Sequence, residues 1–323
     1  MTHTYGAILA AGLGTRLRPL TNEVPKPSLP ICGRSLLEYG VDLLERAGVN
    51  GVGVNVHYQA AVFADGFESR AWPITVSHEE ELLGTGGGLK KIAGMFPRAR
   101  IISINGDALL ECDLAPILER HIARGAIATM VLRRVPADSP FARVGHDERD
   151  RIYQISEVDS PDVESKALAY SAYTGVQIVE PTLLDMVDDG PCDVIRTGYR
   201  KALAADLPVY ADFVDGLWLD VGTPERYFEA NMRLAGLNAA DKRKWRLPQS
   251  AIGTPDDGWI HPQTSIGDDV QLGDGVVINK PSLVRSGVSL NRVVCSTVTD
   301  LRKSLDNAIA YEERGVTHHI ELR

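Results

Sequence analysis

The chain has 323 residues, 44% of them hydrophobic, and a formal charge of −9. That length accommodates one large α/β domain and a smaller one, and the acidic balance argues against a general nucleic-acid binder. No apolar run approaches the ~20 residues of a membrane span. The N-terminus has no signal-peptide pattern, and Cys32, Cys112, Cys192 and Cys295 form no Cys-x-x-Cys pair. The expectation is thus a cytoplasmic protein with neither a zinc site nor a disulfide framework, and without a membrane or nucleic-acid partner.

Tyr5 to Ala11 reads as a buried strand running into Gly12-Leu13-Gly14-Thr15-Arg16-Leu17-Arg18, with Pro25-Lys26-Pro27 close behind. Glycine at 12 and 14 permits positive φ and close ligand approach. Successive N–H groups along Ala10, Ala11, Gly12, Gly14 and Thr15 can form an anion nest. Arg16 adds a planar fork for phosphate oxygens, and Lys26 a point charge that the two prolines hold in an extended segment. The implied ligand is a polyphosphate. A P-loop is excluded because no lysine and hydroxyl follow the last glycine, and a dinucleotide fingerprint because Leu17 stands where the third glycine belongs. Arg18 is a further local cation, and Lys90 and Lys91 are candidates to join it.

Helical spacing over Leu36 to Ala47 is followed by short strands at Val52–Val56, Ile74–Val76 and Ile101–Ile104, a helix over Leu114–Ala123 and a strand over Ile127–Leu132. Such alternation predicts a Rossmann-like α/β fold, a mostly parallel sheet with helices on both faces. Ligands of such sheets bind beyond the carboxyl ends of strands, where both the Gly12 loop and Asp107 fall. From Val135 strands recur without full helices, at Arg143–Val144, Ile152–Val158 and Tyr170–Val179, as in a mixed-sheet insertion. Helical patterns return at Pro181–Val187, Val194–Leu203 and Pro224–Leu234. Residues 237–250 read as a polar linker. His57 reads as a structural histidine.

Beyond it, Ile260, Ile266, Leu272, Ile278, Val284 and Leu290 recur every six residues. Small or β-branched residues stand four places after each. Hexapeptide repeats of this kind wind into a β-helix with inward apolar ladders. Three repeats per coil would give about two coils, too few to stand alone. The module is therefore expected to dock on the preceding domain or on another subunit.

The Gly12–Leu17 run with Pro25-Lys26-Pro27 resembles the nucleotide-sugar pyrophosphorylases, the sugar-1-phosphate nucleotidyltransferases. The resemblance spans residues 4 to 236 and continues through Leu83-Gly84-Thr85-Gly86-Gly87, Asn105-Gly106-Asp107 and Trp218-Leu219-Asp220-Val221-Gly222-Thr223-Pro224. It implies a catalytic domain over 1–236, a linker over 237–250, and over 251–323 a left-handed β-helix like that appended to many relatives. It implies transfer of a nucleotidyl group from a nucleoside triphosphate to a sugar 1-phosphate, with Arg16 and Lys26 as catalytic cations. Asp107 and Asp220 are implied to hold Mg2+, and Gly84, Thr85 and Gly86 to contact the nucleobase. Gly84 to Gly88 also read as the glycine-rich start of a helix, which would bind an anion in its own right.

For the sugar, Glu157 matches the first residue of the relatives' Glu-Lys-Pro run, but Val158 replaces its lysine; Arg196 or Lys201 could supply the missing cation. Tyr173-Thr174-Gly175-Val176 resembles the Phe-Thr-Gly-Ile run of relatives acting on mannose or N-acetylmuramic acid phosphates. Thr174 and Gly175 therefore join Glu157 as sugar-site candidates, and GTP with mannose 1-phosphate or a related hexose as the candidate pair. The alternatives left open are a cytidylyltransferase for a small alcohol phosphate and a non-catalytic sugar-nucleotide sensor. A homo-oligomer formed through the C-terminal module is also expected.

Overall fold

The computed structural model describes residues 3–57, 74–136, 138–251 and 254–322. Two compact units form from non-contiguous sequence: residues 1–12 with 40–218, and residues 13–39 with 219–323.

The first unit is built on one ten-stranded sheet. Its parallel part comprises β1 (Thr4–Leu9), β2 (Val52–Val56), β3 (Ile74–His78) and β4 (Arg100–Asn105). These lie in the order β4-β1-β2-β3, with Gly6 opposite Val52 and Leu9 opposite Asn105. β2 is buried at every position, which is why it reads as a continuous rather than an alternating run. Helix α1 (Leu36–Arg46) packs Leu44 onto Gly6, where a Cβ would lie 2.6 Å from a Leu44 methyl.

Past β4 the sheet turns antiparallel. β5 (Ala128–Arg134), β6 (Ala142–His146), β7 (Ile152–Ile155), β8 (Val158–Asp159) and the long β9 (Ala169–Val179) continue the same sheet rather than forming a separate layer. A strand at Val209–Phe213, β10, pairs in parallel with β5; periodicity alone did not single it out. The core of this unit gathers Ala7, Ile101, Met130, Leu132, Ile152, Val179 and Tyr199.

The second unit contains the Gly14–Lys26 segment, a short hairpin (Pro30–Ile31 with Arg34–Ser35), a helix at Pro224–Ala235 and the C-terminal coils. The coils are parallel strands consistent with a left-handed β-helix. Trp259 pairs with Val277, Val277 with Val294, and Val294 with Ile309, so the repeat shortens from 18 to 17 to 15 residues. The shortening carries the coil beyond Leu290, where a strict count of sixes stops, and corrects the expectation of about two coils. Ile260, Ile278, Val284 and Leu290 are buried as the ladder requires, but Ile266 is 44% exposed. A final antiparallel hairpin, Leu305–Glu313 with Val316–Glu321, closes the last coil.

The module docks within its unit on residues 30–34 and on the Pro224 helix. A Cβ on Gly33 would lie 2.1 Å from the Trp259 indole. Gly33 N–H donates to Asn279 Oδ1 (3.0 Å), and Cys32 N–H to Asn231 Oδ1 (3.3 Å). Tyr227 Oη donates to the Pro30 carbonyl (2.6 Å) and meets Ser296 Oγ at 2.9 Å. Tyr227, Asn231, Asn279 and Ser296 are all buried. Every one of these polar groups has a partner, which is what makes their burial tolerable. The segment 237–250, expected as a linker, holds a helix at Ala239–Lys244 and a buried Trp245 whose carbonyl accepts from Arg34 Nη1 at 3.1 Å.

Candidate active site

In the first unit the ends of β1 and β4 come together. Gly106 N–H donates to the Leu9 carbonyl (2.9 Å), and a Cβ at Gly106 would lie 2.9 Å from the same oxygen. Glycine is thus required sterically, and it sets Asp107 in the turn after β4 beside the Ala10–Gly12 end of β1. Asp107 is half-buried.

The loop after β1 differs in detail from the anion nest expected. Ala10 N–H already donates to Asn55 Oδ1 at 2.6 Å. A Cβ on Gly12 would meet nothing within 4 Å, and Gly12 is not among the glycines with positive φ. Only Gly14 uses the left-handed region, with φ 61.

Asn55 opens a network that the glycine motifs did not reveal. Its Nδ2 donates to Glu79 Oε1 (2.7 Å), and Leu83 N–H donates to Glu79 Oε2 (3.0 Å). Glu79 is 1% exposed and lies just ahead of helix α2 (Gly84–Gly94), where the helix dipole favours a carboxylate. The acidic run Glu79-Glu80-Glu81 hides it, because Glu80 and Glu81 are exposed. An asparagine inside the apolar strand Val-Gly-Val-Asn-Val was the available signal. His57 Nδ1 donates to the Glu79 carbonyl (2.9 Å), a structural placement.

The Gly84–Gly88 cluster is the first turn of α2. Its glycines answer to packing: a Cβ on Gly84 would be 2.6 Å from the Cys192 carbonyl, on Gly86 2.7 Å from Cys192 Sγ, and on Gly88 2.5 Å from Asn55 Nδ2. Thr85 Oγ1 donates to Asp193 Oδ2 (3.0 Å) and accepts from Val194 N–H (3.1 Å). Gly84 and Thr85 remain on the surface, whereas Gly86 is buried. Lys90 binds Asp189 and the Val187 carbonyl, and Lys91 the His78 carbonyl. Both ammonium groups thus have protein partners in this structure.

The sugar candidates fall on two features. β9 carries a bulge between Tyr173 and Val176, which contains Thr174 and Gly175. Gly175 has φ 89 and lies against Asn105, at the end of β4. Thr174 is buried, and its hydroxyl donates to the Val131 carbonyl (2.8 Å). It holds the bulge rather than presenting a hydroxyl. Glu157 is exposed in the two-residue turn joining β7 to β8. It accepts from Arg196 Nε (3.0 Å) and Nη2 (2.6 Å). The Arg196 hydrogen bonds, with Glu157's own backbone N–H and the Arg196 charge adding to them, hold the Glu157 carboxyl below its ordinary range. Val158 turns inward as a core residue. Lys201 binds Asp188 (2.5 Å) instead, so of the two proposed substitute cations only Arg196 reaches Glu157.

In the second unit, Gly14 leads into a single 3-10 turn, Thr15–Leu17, which buries Leu17 and leaves Thr15 and Arg16 exposed. Lys26 opens another, Lys26–Ser28, so it starts a turn rather than lying in an extended stretch; Pro25 supplies the extended residue. Gly222 follows the strand Trp218–Asp220. From the point where its Cβ would lie, Asp220 Oδ1 is 3.3 Å away and Arg16 Nη2 3.4 Å. A cation of the glycine loop and a carboxylate of the last motif therefore face one backbone point. Thr223 caps the following helix by accepting from Arg226 N–H (3.4 Å), and Arg226 Nη1 reaches back to Asp220 Oδ2 (2.5 Å).

Among the described residues no group of three or more His, Cys, Asp or Glu gathers as a metal cage. Asp107 in the first unit and Asp220 in the second each offer one hard carboxylate, a ligand type magnesium takes singly or in pairs beside waters and phosphate oxygens. No helix among the described residues is long and apolar enough to cross a membrane.

Residues 5–236 match the family model described as nucleotidyl transferase. A UTP–glucose-1-phosphate uridylyltransferase of Synechocystis is 31% identical over 86% of this chain and 77% of its own. A mannose-1-phosphate guanylyltransferase of Mycobacterium tuberculosis is 30% identical over 91% and 80%. A Bacillus anthracis crystal structure in complex with a sucrose, of a protein provisionally named glucose-1-phosphate thymidylyltransferase, shares the fold. It superposes with a TM-score of 0.61 at 19% identity, covering 73% of this chain and 96% of that one. The chain is an enzyme of the nucleotidyl transferase family.

Proposed function

We propose that this enzyme transfers a nucleotidyl group from a nucleoside triphosphate to a sugar 1-phosphate. The observation that carries the reading is the junction of β1 and β4, where the Gly106–Leu9 hydrogen bond sets Asp107 beside the base of the glycine loop. A sugar-phosphate oxygen attacks the α-phosphorus in line, the bond to the bridging oxygen breaks, and pyrophosphate leaves with the electron pair. Two polyanions must meet, so positioning and charge stabilisation carry the catalysis.

Arg16 and Lys26 are the cations that stabilise the developing charge, and the backbone of Ala11, Gly12, Gly14 and Thr15 receives phosphate oxygens. Ala10 contributes as a support through Asn55. Gly84, Thr85 and Gly86 shape the nucleobase side. Glu157, orienting Arg196, and Gly175, held in its bulge by Thr174, are the sugar-side groups. Asp107 and Asp220 are the carboxylates for Mg2+, which supplies charge neutralisation when bound.

The preferred pair in this reading is GTP with mannose 1-phosphate or a related hexose. The Mycobacterium relative's name and the Tyr173-Thr174-Gly175-Val176 run support it. The reading keeps a catalytic region over 1–236, a C-terminal module over 251–323, a cytoplasmic location and a homo-oligomer formed through that module. The test is pyrophosphate release over a matrix of nucleoside triphosphates and phosphorylated acceptors with magnesium. Release with a sugar 1-phosphate supports the proposal. Release only with CTP and a small alcohol phosphate supports a cytidylyltransferase. Nucleotide-sugar binding with no release in any cell supports a sensor.

A further inference from the structure

Arg16 and Lys26 stand on two separate single turns, Thr15–Leu17 and Lys26–Ser28, with no helix or strand ladder joining them. Turns this short have no stability of their own. Local backbone bonds carry the chain only as far as Asn22, with Leu20 N–H donating to the Leu17 carbonyl and Asn22 N–H to the Pro19 carbonyl (both 3.0 Å); tertiary contacts hold the segment around and beyond them. On the near side, Thr21 Oγ1 donates to the Gly14 carbonyl (2.8 Å). On the far side, the Pro30–Ser35 hairpin is pinned by Trp259, Asn279, Asn231 and Tyr227.

The middle of the segment is held from the other end of the sequence. Asn22 Nδ2 donates to Glu313 Oε1 (3.1 Å). Arg314 N–H donates to both carboxylate oxygens of Glu23, at 3.1 and 3.2 Å. Glu313 ends one arm of the C-terminal hairpin, and Arg314 and Gly315 form its two-residue turn, both with positive φ (52 and 73). The twist of such a turn matches that of the flanking strands, so the tip continues the ladder without splaying it. The turn also leaves the Arg314 N–H pointing out of the ladder, where the Glu23 carboxylate takes it. The tip therefore grips the stretch that lies between the two cations.

We infer that the C-terminal hairpin tip is a positioning element for the nucleotide: through Glu313 and the Arg314 amide it fixes Asn22 and Glu23, and thereby the separation of Arg16 and Lys26. The β-helix is then part of the catalytic apparatus rather than an appended module. The inference rests on the reading of the Arg16–Lys26 segment as the polyphosphate site.

The test uses the full-length protein with Glu313→Ala, Glu313→Gln and the double variant Asn22→Ala/Glu23→Ala, and Arg16→Ala as reference. The double variant leaves the β-helix sequence untouched. Displacement of a positioning element predicts a loss of about tenfold in kcat/KM for the nucleoside triphosphate in both alanine variants. The KM for the sugar phosphate should stay within about twofold, as for surface changes elsewhere. Amide exchange over residues 13–29 should quicken, while the Val276–Val294 ladder stays protected. Glu313→Gln keeps the Oε1 acceptor and should restore parental kinetics. If the alanine variants keep parental kinetics and exchange while Arg16→Ala is impaired, the clamp is refuted and the phosphate site stands. If Arg16→Ala is itself parental, the site assignment and the clamp fall together. Equal losses toward both substrates, unrelieved in Glu313→Gln, would also overturn the clamp.

Discussion

Arg226 Nη1 lies 2.5 Å from Asp220 Oδ2, a charge-assisted bond made from the first turn of the helix that follows the Asp220 strand. Thr223 caps that helix, so the cap and the ion pair together fix the direction in which the Asp220 carboxylate faces. A magnesium ligand needs such orientation, since the ion tolerates little departure from octahedral geometry. Asp220→Asn and Asp107→Asn are each expected to raise the magnesium concentration for half-maximal rate by about tenfold or more. Loss of even a supporting partner reaches that scale at metal sites. Initial rates against free magnesium, paired with Mn2+ titration followed by water-proton relaxation, give the comparison. A variant that titrates like the parent does not hold the ion.

The two loop cations admit a stricter test. Arg16 is exposed and Lys26 half-buried, on turns whose apolar anchors are Leu17 and Leu29. Truncating either cation leaves those anchors in place. Arg16→Ala and Lys26→Ala should each lower kcat by roughly 10²-fold or more, the scale of a lost transition-state charge contact, with far-UV dichroism unchanged. Parental turnover in both would exclude this segment from the reacting phosphates.

The pairing of Glu157 with Arg196 fixes the sign of a pH effect. The Arg196 hydrogen bonds lower the Glu157 carboxyl pKa, so the ion pair is intact above the ordinary carboxylate value of about 4.3. It is lost only as pH falls through the depressed one. The sugar-phosphate KM should therefore carry no Glu157 inflection between about pH 6 and 8, a range well above that ordinary value. Arg196→Ala should raise that KM by about tenfold if the guanidinium meets the sugar phosphate, the scale of one hydrogen bond to a charged group. The melting temperature should hold, because exposed pairs contribute little to stability. A raised melting sensitivity with an unchanged KM would make the pair structural.

What the sequence disclosed follows from how local each constraint is. Strands β1, β2 and β4 and the helix at Leu114–Ala123 were legible because burial on regular spacing writes itself into the chain. Asp113 marks the start of that helix by accepting from Ala115 N–H. Asp107 and Asp220 were legible as strand-to-loop carboxylates in motifs. The Asn55–Glu79 network was not, since its partners are 24 residues apart and each looks ordinary alone. The glycines at 84 to 88 announced a special site. The reason is packing against Cys192 and Asn55, as well as any ligand they face. Lys201 and Arg196 were equivalent on paper; only the fold separates them, by giving Lys201 to Asp188.

The hexapeptide series offers a last test, because positions equivalent in sequence are unequal in the coil. Ile278 is fully buried and packs with Ile260, Val276 and Cys295, whereas Ile266 is 44% exposed. Ile278→Ala should cost about 2–5 kcal/mol, the transfer energy of the lost atoms plus the cavity they leave. Ile266→Ala should cost under about 0.5 kcal/mol, as at other surface sites. Asn279, next in sequence to Ile278, holds Gly33 and Asn231. Loosening the Ile278 rung should therefore also quicken amide exchange in residues 30–34, whereas the Ile266 change should leave them protected. Chemical denaturation gives the energies, and exchange followed by mass spectrometry gives the locality. Equal costs at the two positions would mean that the ladder is regular after all and that the exposure of Ile266 has no energetic meaning.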